Sequence, residues 1–284
     1  MYAREFPINP RLIIIALVSL VVIVLLFRPN DSANRLMSRW KPQPLLTEPE
    51  PPANSASAPP IAISGDALPV AQFDLRVADG LYPDERQALA DELQRTLAYV
   101  SARFGSGPTS RFQAALASDG GCGLHGIAYT DVRTVQVFTC NDIARPRAVA
   151  ILAHEFVHQL EQDRYGQAQL SSDLILSEGA ATWAAGSYWL GGQPDFRSYV
   201  RQQRQAGVFY SLATNYNGLG IGAMNALYYQ WASFVEFLIG TYGREKFDQV
   251  YVTGHGGISS SDYHAIYGKS FDALEREWID WLGA

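Results

Sequence analysis

Residues 12–27, LIIIALVSLVVIVLLF, are apolar at every position but Ser19, and Arg11 and Arg28 close the run at its two ends. A helix of sixteen residues is about 24 Å long. That is a little short of a ~30 Å hydrocarbon core, and snorkelling of the flanking arginines closes the gap. A run that is apolar on all sides at the start of a chain reads as a transmembrane signal anchor rather than a core helix. A cleaved signal peptide is the alternative, although no convincing small-x-small site follows the run. Beyond it the hydrophobic pattern stops. Nine of the fifteen prolines lie between positions 29 and 69, and PQPLLTEPEPPANSASAPP offers little to bury. Residues 28–65 therefore read as an extended, semi-rigid spacer.

Periodicity returns after the spacer. Residues 70–77 alternate, with Phe73, Leu75 and Val77 set against Gln72, Asp74 and Arg76, as in a half-buried strand. Pro83 opens a helix with Leu89, Leu93, Leu97, Val100 and Phe104 on one stripe and Gly105 as its stop. Residues 111–117, 127–130 and 132–139 read as three further strands, the last two separated by a tight turn at Asp131. Pro146 opens a helix over 147–163 that ends near Gly166. Helical spacing then continues over 178–190, 195–205, 226–241, 245–252 and 271–282. Strands come first and helices second, which is the α+β class. The expected organisation is a short tail (1–11), an anchor (12–27), a proline-rich linker (28–65) and one folded domain (66–284).

Composition narrows the possibilities. An apolar fraction of 48 % with 12 % aromatic residues excludes wholesale disorder. Sixteen of the twenty-two basic residues and twenty-four of the twenty-eight acidic ones lie from Asp66 onward, so this part carries −8. No basic footprint for nucleic acid is present. The two cysteines, Cys122 and Cys140, flank the strand pair. They either form a disulfide across the ends of the hairpin, which suits an oxidising compartment, or remain two buried thiols. Arg4 and Arg11 precede the apolar run, and Arg28, Arg35, Arg39 and Lys41 follow it. A bare count would place the domain in the cytoplasm, whereas a short tail before a lone anchor commonly stays inside and long domains translocate regardless of charge. With the cysteine pair, the expectation is a single-pass membrane protein whose domain is extracytoplasmic.

The chemistry concentrates at His154-Glu155-Phe156-Val157-His158, an H-E-x-x-H on an expected helix. Residues four apart on a helix share a face, so both imidazoles project into one site. Two nitrogen donors suit zinc. The Glu155 carboxylate, beside the ion's open position, is placed to accept a proton from activated water. Val149, Leu152, Phe156 and Leu160 form the opposite stripe, which leaves the histidines facing a cleft. By chance the motif is expected only about 0.004 times in a chain of this composition. A third protein ligand is needed, and Glu178 in Ser177-Glu178-Gly179-Ala180-Ala181 lies twenty residues after His158 on the next expected helix. The small residues around it would let the two helices approach closely. Glu178 is otherwise a surface carboxylate at a helix start. His125 reads as a turn or rim residue, and His255 and His264 show no tight spacing to the motif.

HEFVHQLEQ followed by SEGAATW resembles the gluzincin metallopeptidases, and more closely the peptidase-MA-like domains of membrane-anchored or secreted proteins. Tyr228-Tyr229-Gln230-Trp231-Ala232-Ser233-Phe234-Val235 with Tyr242-Gly243, and Gly268-Lys269-Ser270-Phe271 through Leu274-Glu275 and Trp278, resemble that family's later helices. The resemblance runs from about Ala148 to the C-terminus. It implies a zincin-like fold, with a mixed N-terminal sheet, an active-site helix and a mainly helical C-terminal half. It also implies one zinc ion on His154, His158 and Glu178, Glu155 as general base, and peptide or protein substrates. Tyr228 falls where a transition-state hydrogen-bond donor lies, with Tyr229 as its rival and a core aromatic as the plain reading of either. Two departures stand out. Thr182 occupies the position, four after the ligand Glu, where thermolysin-like enzymes carry an Asp that supports a histidine. Gly222-Ala223-Met224-Asn225 is similar to the G-x-M-E-N motif of gluzincin aminopeptidases, but it follows the zinc helix and lacks the glutamate, which favours endopeptidase action. The strand over 132–139, just before the zinc helix, is expected at the edge of the cleft, where an extended substrate would pair with it. Specificity would come from 188–222. The competing reading is a non-catalytic zincin-fold module that binds a peptide or an assembly partner at the membrane. Hydrolysis of a non-peptide amide is a third, without a sequence signal of its own.

Overall fold

The computed structural model describes residues 59–63 and 66–283. The expected anchor over 12–27 and most of the proline-rich linker lie outside the described residues. Among the described residues no helix is long and apolar enough to cross a membrane.

Five strands form one mixed sheet. β1 (Leu68–Val70) and β2 (Phe73–Val77) make a tight antiparallel hairpin, so the alternation expected as one strand over 70–77 is broken by a turn at 71–72. Helix α1 (Arg86–Phe104) buries the anticipated stripe of Leu89, Leu93, Leu97, Val100 and Phe104 and ends at Gly105, whose φ of 89° is left-handed. β3 (Phe112–Ser118) runs parallel to β2, β4 (His125–Tyr129) turns back, and β5 (Thr134–Thr139) pairs parallel with β3 and antiparallel with β4. The order is β1-β2-β3-β5-β4. This corrects the expectation for 132–139. That segment starts with a 3-10 turn over Thr130–Val132, and its strand lies inside the sheet, between β3 and β4. Among the described residues β4 is the outermost strand on that side, because the intervening chain folds back to cover β5, and β1 is outermost on the other. A disulfide joins Cys122 to Cys140, with Cα atoms 5.1 Å apart, and closes the loop that holds both strands.

One face of the sheet carries Leu75, Val77, Ala114, Leu116, Val135 and Val137, all buried. Helix α2 (Arg145–Tyr165), with Pro146 in its first turn, packs there, and the Phe156 ring lies 5.5 Å from both Phe73 and Phe112. Gln136 alternates to the outer face and is nevertheless buried. The Ile61 N–H donates to its Oε1 at 3.0 Å, and its Nε2 donates to the Ile61 carbonyl at 2.6 Å. The end of the proline-rich segment thus lies on the sheet.

The remainder is helical: α3 (Leu174–Ala185), α4 (Ser187–Leu190), α5 (Phe196–Gln205), α6 (Ile221–Tyr242), α7 (Arg244–Tyr251), α8 (Tyr263–Tyr267) and α9 (Phe271–Leu282). The helix expected over 178–190 breaks at Gly186, at φ 53°, where a Cβ would collide with Tyr99 and Arg103. Gly179 allows a close helix crossing, but with α6 rather than α2: a Cβ there would lie 2.8 Å from the Trp231 carbonyl oxygen and 2.9 Å from Val235.

Candidate metal centre

Helices α2 and α3 bring three donors together. His154 and His158 stand one turn apart on α2, and Glu178 faces them from α3. The His154 Nε2 is 3.1 Å from Glu178 Oε2 and 3.0 Å from His158 Nε2, and His158 Nε2 is 3.5 Å from the same carboxylate oxygen. All three residues are buried. The histidines therefore face α3 and an aromatic wall, not an open cleft.

The outer ring nitrogens are held as well. His158 Nδ1 lies 2.7 Å from Glu161 Oε2, which also accepts the Ser177 hydroxyl at 3.2 Å. His154 Nδ1 lies 3.3 Å from the Thr182 hydroxyl, so a threonine holds the outer nitrogen of this histidine. With the outer nitrogens engaged, two Nε2 lone pairs and a carboxylate oxygen converge. Ring nitrogens and a carboxylate oxygen this close share either protons or a cation, and a set of two nitrogens and one oxygen suits zinc. The electrostatics agree. Burial opposes charge on His158, yet the Glu178 and Glu161 carboxylates hold its pKa well above the usual imidazole value. Burial likewise opposes charge on Glu178, but His158 and His154 hold its pKa below the usual carboxylate range. The pocket thus holds positive charge, and metal binding to such a site displaces a proton.

Glu155 projects from α2 toward the edge strand. Its Oε1 is buried and, among the described residues, has no hydrogen-bond partner, an exception to the usual pairing of buried polar atoms. Tyr129, at the end of β4, lies close enough for the Glu155 charge to add to burial in raising its hydroxyl pKa. The Tyr228 ring, from α6, lies against His154 with centroids 5.7 Å apart and planes at 26°, among Trp189 and Trp231. The Tyr229 hydroxyl instead donates to the Trp189 carbonyl at 3.0 Å, which leaves Tyr228 as the tyrosine beside the centre. Gly222-Ala223-Met224-Asn225 lies at the start of α6, where the Asn225 amide donates to the Ile221 carbonyl.

The other histidines lie elsewhere: His125 begins β4 and stacks on Phe138 at 4.6 Å, and His255 and His264 are exposed. Among the described residues the other group with ligand spacing is Cys122, Cys140 and Asp142, whose sulfurs are joined to each other. Sequence reasoning missed Glu161, although three residues after His158 is a helix-neighbour spacing. It also missed Asp173. This buried carboxylate caps α3 through Ile175 N and binds Ser259 N, Ser261 N and the Tyr263 hydroxyl, clamping the loop after α7 onto the helix that carries Glu178. Between that loop and α3 lies a cavity of about 140 Å³, lined in part by Gln169, Leu170, Ser172, Glu178 and Gly257.

No protein-family model matches the chain, and no curated protein matches it. Among solved structures, it is similar to an M1 zinc metallopeptidase from Deinococcus radiodurans at 18 % identity and a TM-score of 0.41, over 78 % of this chain and 51 % of that one. It is also similar to an aminopeptidase N family protein from Idiomarina loihiensis at 13 % identity and a TM-score of 0.42, over 76 % of this chain and 43 % of that one. The chain thus spans about half the length of the structures it matches or less.

Proposed function

We propose that the chain is a zinc-dependent metallopeptidase of gluzincin type, an endopeptidase held at a membrane by residues 12–27 with its domain on the extracytoplasmic side. The observation that carries this reading is the convergence of His154, His158 and Glu178 beside a buried Glu155 oxygen that has no hydrogen-bond partner among the described residues. A purely structural site has no use for that carboxylate. Zinc held by the three ligands supplies Lewis-acid activation of water and of the scissile carbonyl. Glu155 takes the proton that the attacking water loses and delivers it to the leaving amine. The Tyr228 hydroxyl stabilises the carbonyl oxygen as it becomes anionic. The cavity next to Glu178 takes an uncharged side chain close to the scissile bond.

The test is cleavage of an unstructured protein such as casein by zinc-loaded full chain, with Glu155→Gln as the control. The variant is expected to keep its zinc, to lose turnover by roughly 10²–10⁴-fold and to retain bound substrate for identification. A second reading, a non-catalytic zincin-fold module that binds a peptide or an assembly partner, draws on the burial of His154, Glu155, His158 and Glu178, none more than 2 % exposed. Zinc-loaded wild type that captures a peptide yet cuts nothing would establish that reading instead.

A further inference from the structure

We propose that Gly126 is a positioning residue, the notch in the edge strand that seats the Glu155 carboxylate; the catalytic part of this rests on the reading of Glu155 as general base. Gly126 and Ala128 pair with Val137 and Val135, whose side chains are in the core, so positions 126 and 128 face α2. A Cβ built on Gly126 would lie 2.4 Å from Glu155 Oε1 and 2.7 Å from its Cδ and Cγ. Backbone conformation is not the reason for a glycine here, since Gly126 is absent from the residues at positive φ. Any L-residue fits the local chain, and glycine weakens a strand interior. The requirement is space, and the space is occupied by the carboxylate.

The identity of the colliding atoms decides what the notch does. At Gly179 the obstacle is the Trp231 carbonyl, which is backbone, and a side chain there must displace a helix. At Gly126 the obstacle is a side chain, that of Glu155 from Cγ outward. The carboxylate rather than the backbone has to give way, so what an added side chain displaces is the placement of that carboxylate. A misplacement of about 1 Å costs on the order of 10²-fold in rate. Gly126 thus acts on the reaction through Glu155.

The experiment uses the full chain and four proteins: wild type, Gly126→Ala, Glu155→Ala and the double variant. Thermal midpoints without zinc are measured for all four, bound zinc per chain for all four, and kcat and KM on an unstructured protein for wild type and Gly126→Ala. Gly126→Ala is expected to keep full zinc, to lose about 10²-fold in kcat and to leave KM within a few-fold. In the metal-free cycle it is expected to lower the midpoint in the wild-type background and to raise it in the Glu155→Ala background, where the added methyl has room; that coupling is the signature of contact. If the single variant does not fold but the double variant does, the notch is supported. Equal shifts in both backgrounds, or failure of both to fold, would overturn it. Should the wild type cut nothing, the peptidase reading fails while the metal-free cycle still decides whether Gly126 seats Glu155.

Discussion

On one side α2 presents Val149, Leu152, Phe156 and Leu160, with Phe156 wedged between Phe73 and Phe112. Toward α3 it presents His154, His158 and Glu161, and these are buried as completely. The hydrocarbon side is stabilised by leaving water, whatever ion is present. The polar side pays desolvation, and its stability is conditional on what neutralises it. One helix therefore carries two seams of equal burial, one apolar and one charged.

The largest expected effect separates the seams directly. Phe156→Ala should cost roughly 3–5 kcal/mol in denaturant unfolding, the same with zinc or with chelator. His158→Leu should behave otherwise. With saturating zinc it loses the metal-linked term, about 4 kcal/mol at a thousandfold excess over Kd. In chelator it should still cost about 3–5 kcal/mol, because the buried Glu161 and Glu178 carboxylates lose their partner, so the loss is larger with zinc by the metal-linked term. If His158→Leu is equally destabilising in both conditions, the polar seam is an ordinary structural network and the contrast falls.

Gly179→Ala comes next. It overpacks the α3–α6 crossing against the Trp231 carbonyl and should cost about 1–3 kcal/mol. Because α3 carries Glu178, zinc affinity should fall with stability, as titration with a competing chelator would show. A stability loss with unchanged affinity would mean that α3 holds Glu178 independently of α6. Thr182→Val is the more local probe. It removes the hydroxyl at His154 Nδ1 and should weaken zinc by roughly 10–100-fold while leaving the metal-free melting midpoint almost unchanged.

Legibility followed the range of the interactions involved. Helix α9 lies over 271–282 as the periodicity predicts, because its stripe and its Ser270 cap are local. The H-E-x-x-H was legible for the same reason, and Glu178 followed from chemistry that needs a third donor. What sequence could not give is pairing order. Residues 134–139 read TVQVFT, a pattern equally good for an edge or an interior strand, and only the fold-back of 125–129 makes β4 the edge. Gln136 looks solvent-facing until Ile61, seventy-five residues away, satisfies its amide. Glu161 in HQLEQDR looks like surface charge, and its role depends on α3 closing over it. The small residues after Glu178 were legible as a close-packing face, but not as a face toward α6.

The smallest expected effect lies at the far end of α2, where a polar contact holds without metal. Asp163 accepts the Thr109 N–H at 3.0 Å and both terminal nitrogens of Arg133, at 2.5 and 3.1 Å. Arg133 stands at φ 52° at the entrance to β5, so this pair fixes the start of that strand against the helix. Burial alone would raise the Asp163 pKa, but the Arg133 guanidinium and the Thr109 amide outweigh it and hold the pKa below the usual carboxylate range. A carboxyl whose folded pKa is depressed stabilises fully above its unfolded value, about 4, and loses that contribution as pH falls through the folded one. Asp163→Asn should therefore lower stability by on the order of 1 kcal/mol at pH 7. The gap from wild type should close as thermal midpoints are followed down to about pH 3, and in contrast to His158→Leu it should be the same with zinc or chelator. A gap that persists at low pH would show that the pair acts through shape rather than charge; a gap that depends on zinc would show that the polar seam extends along the whole of α2.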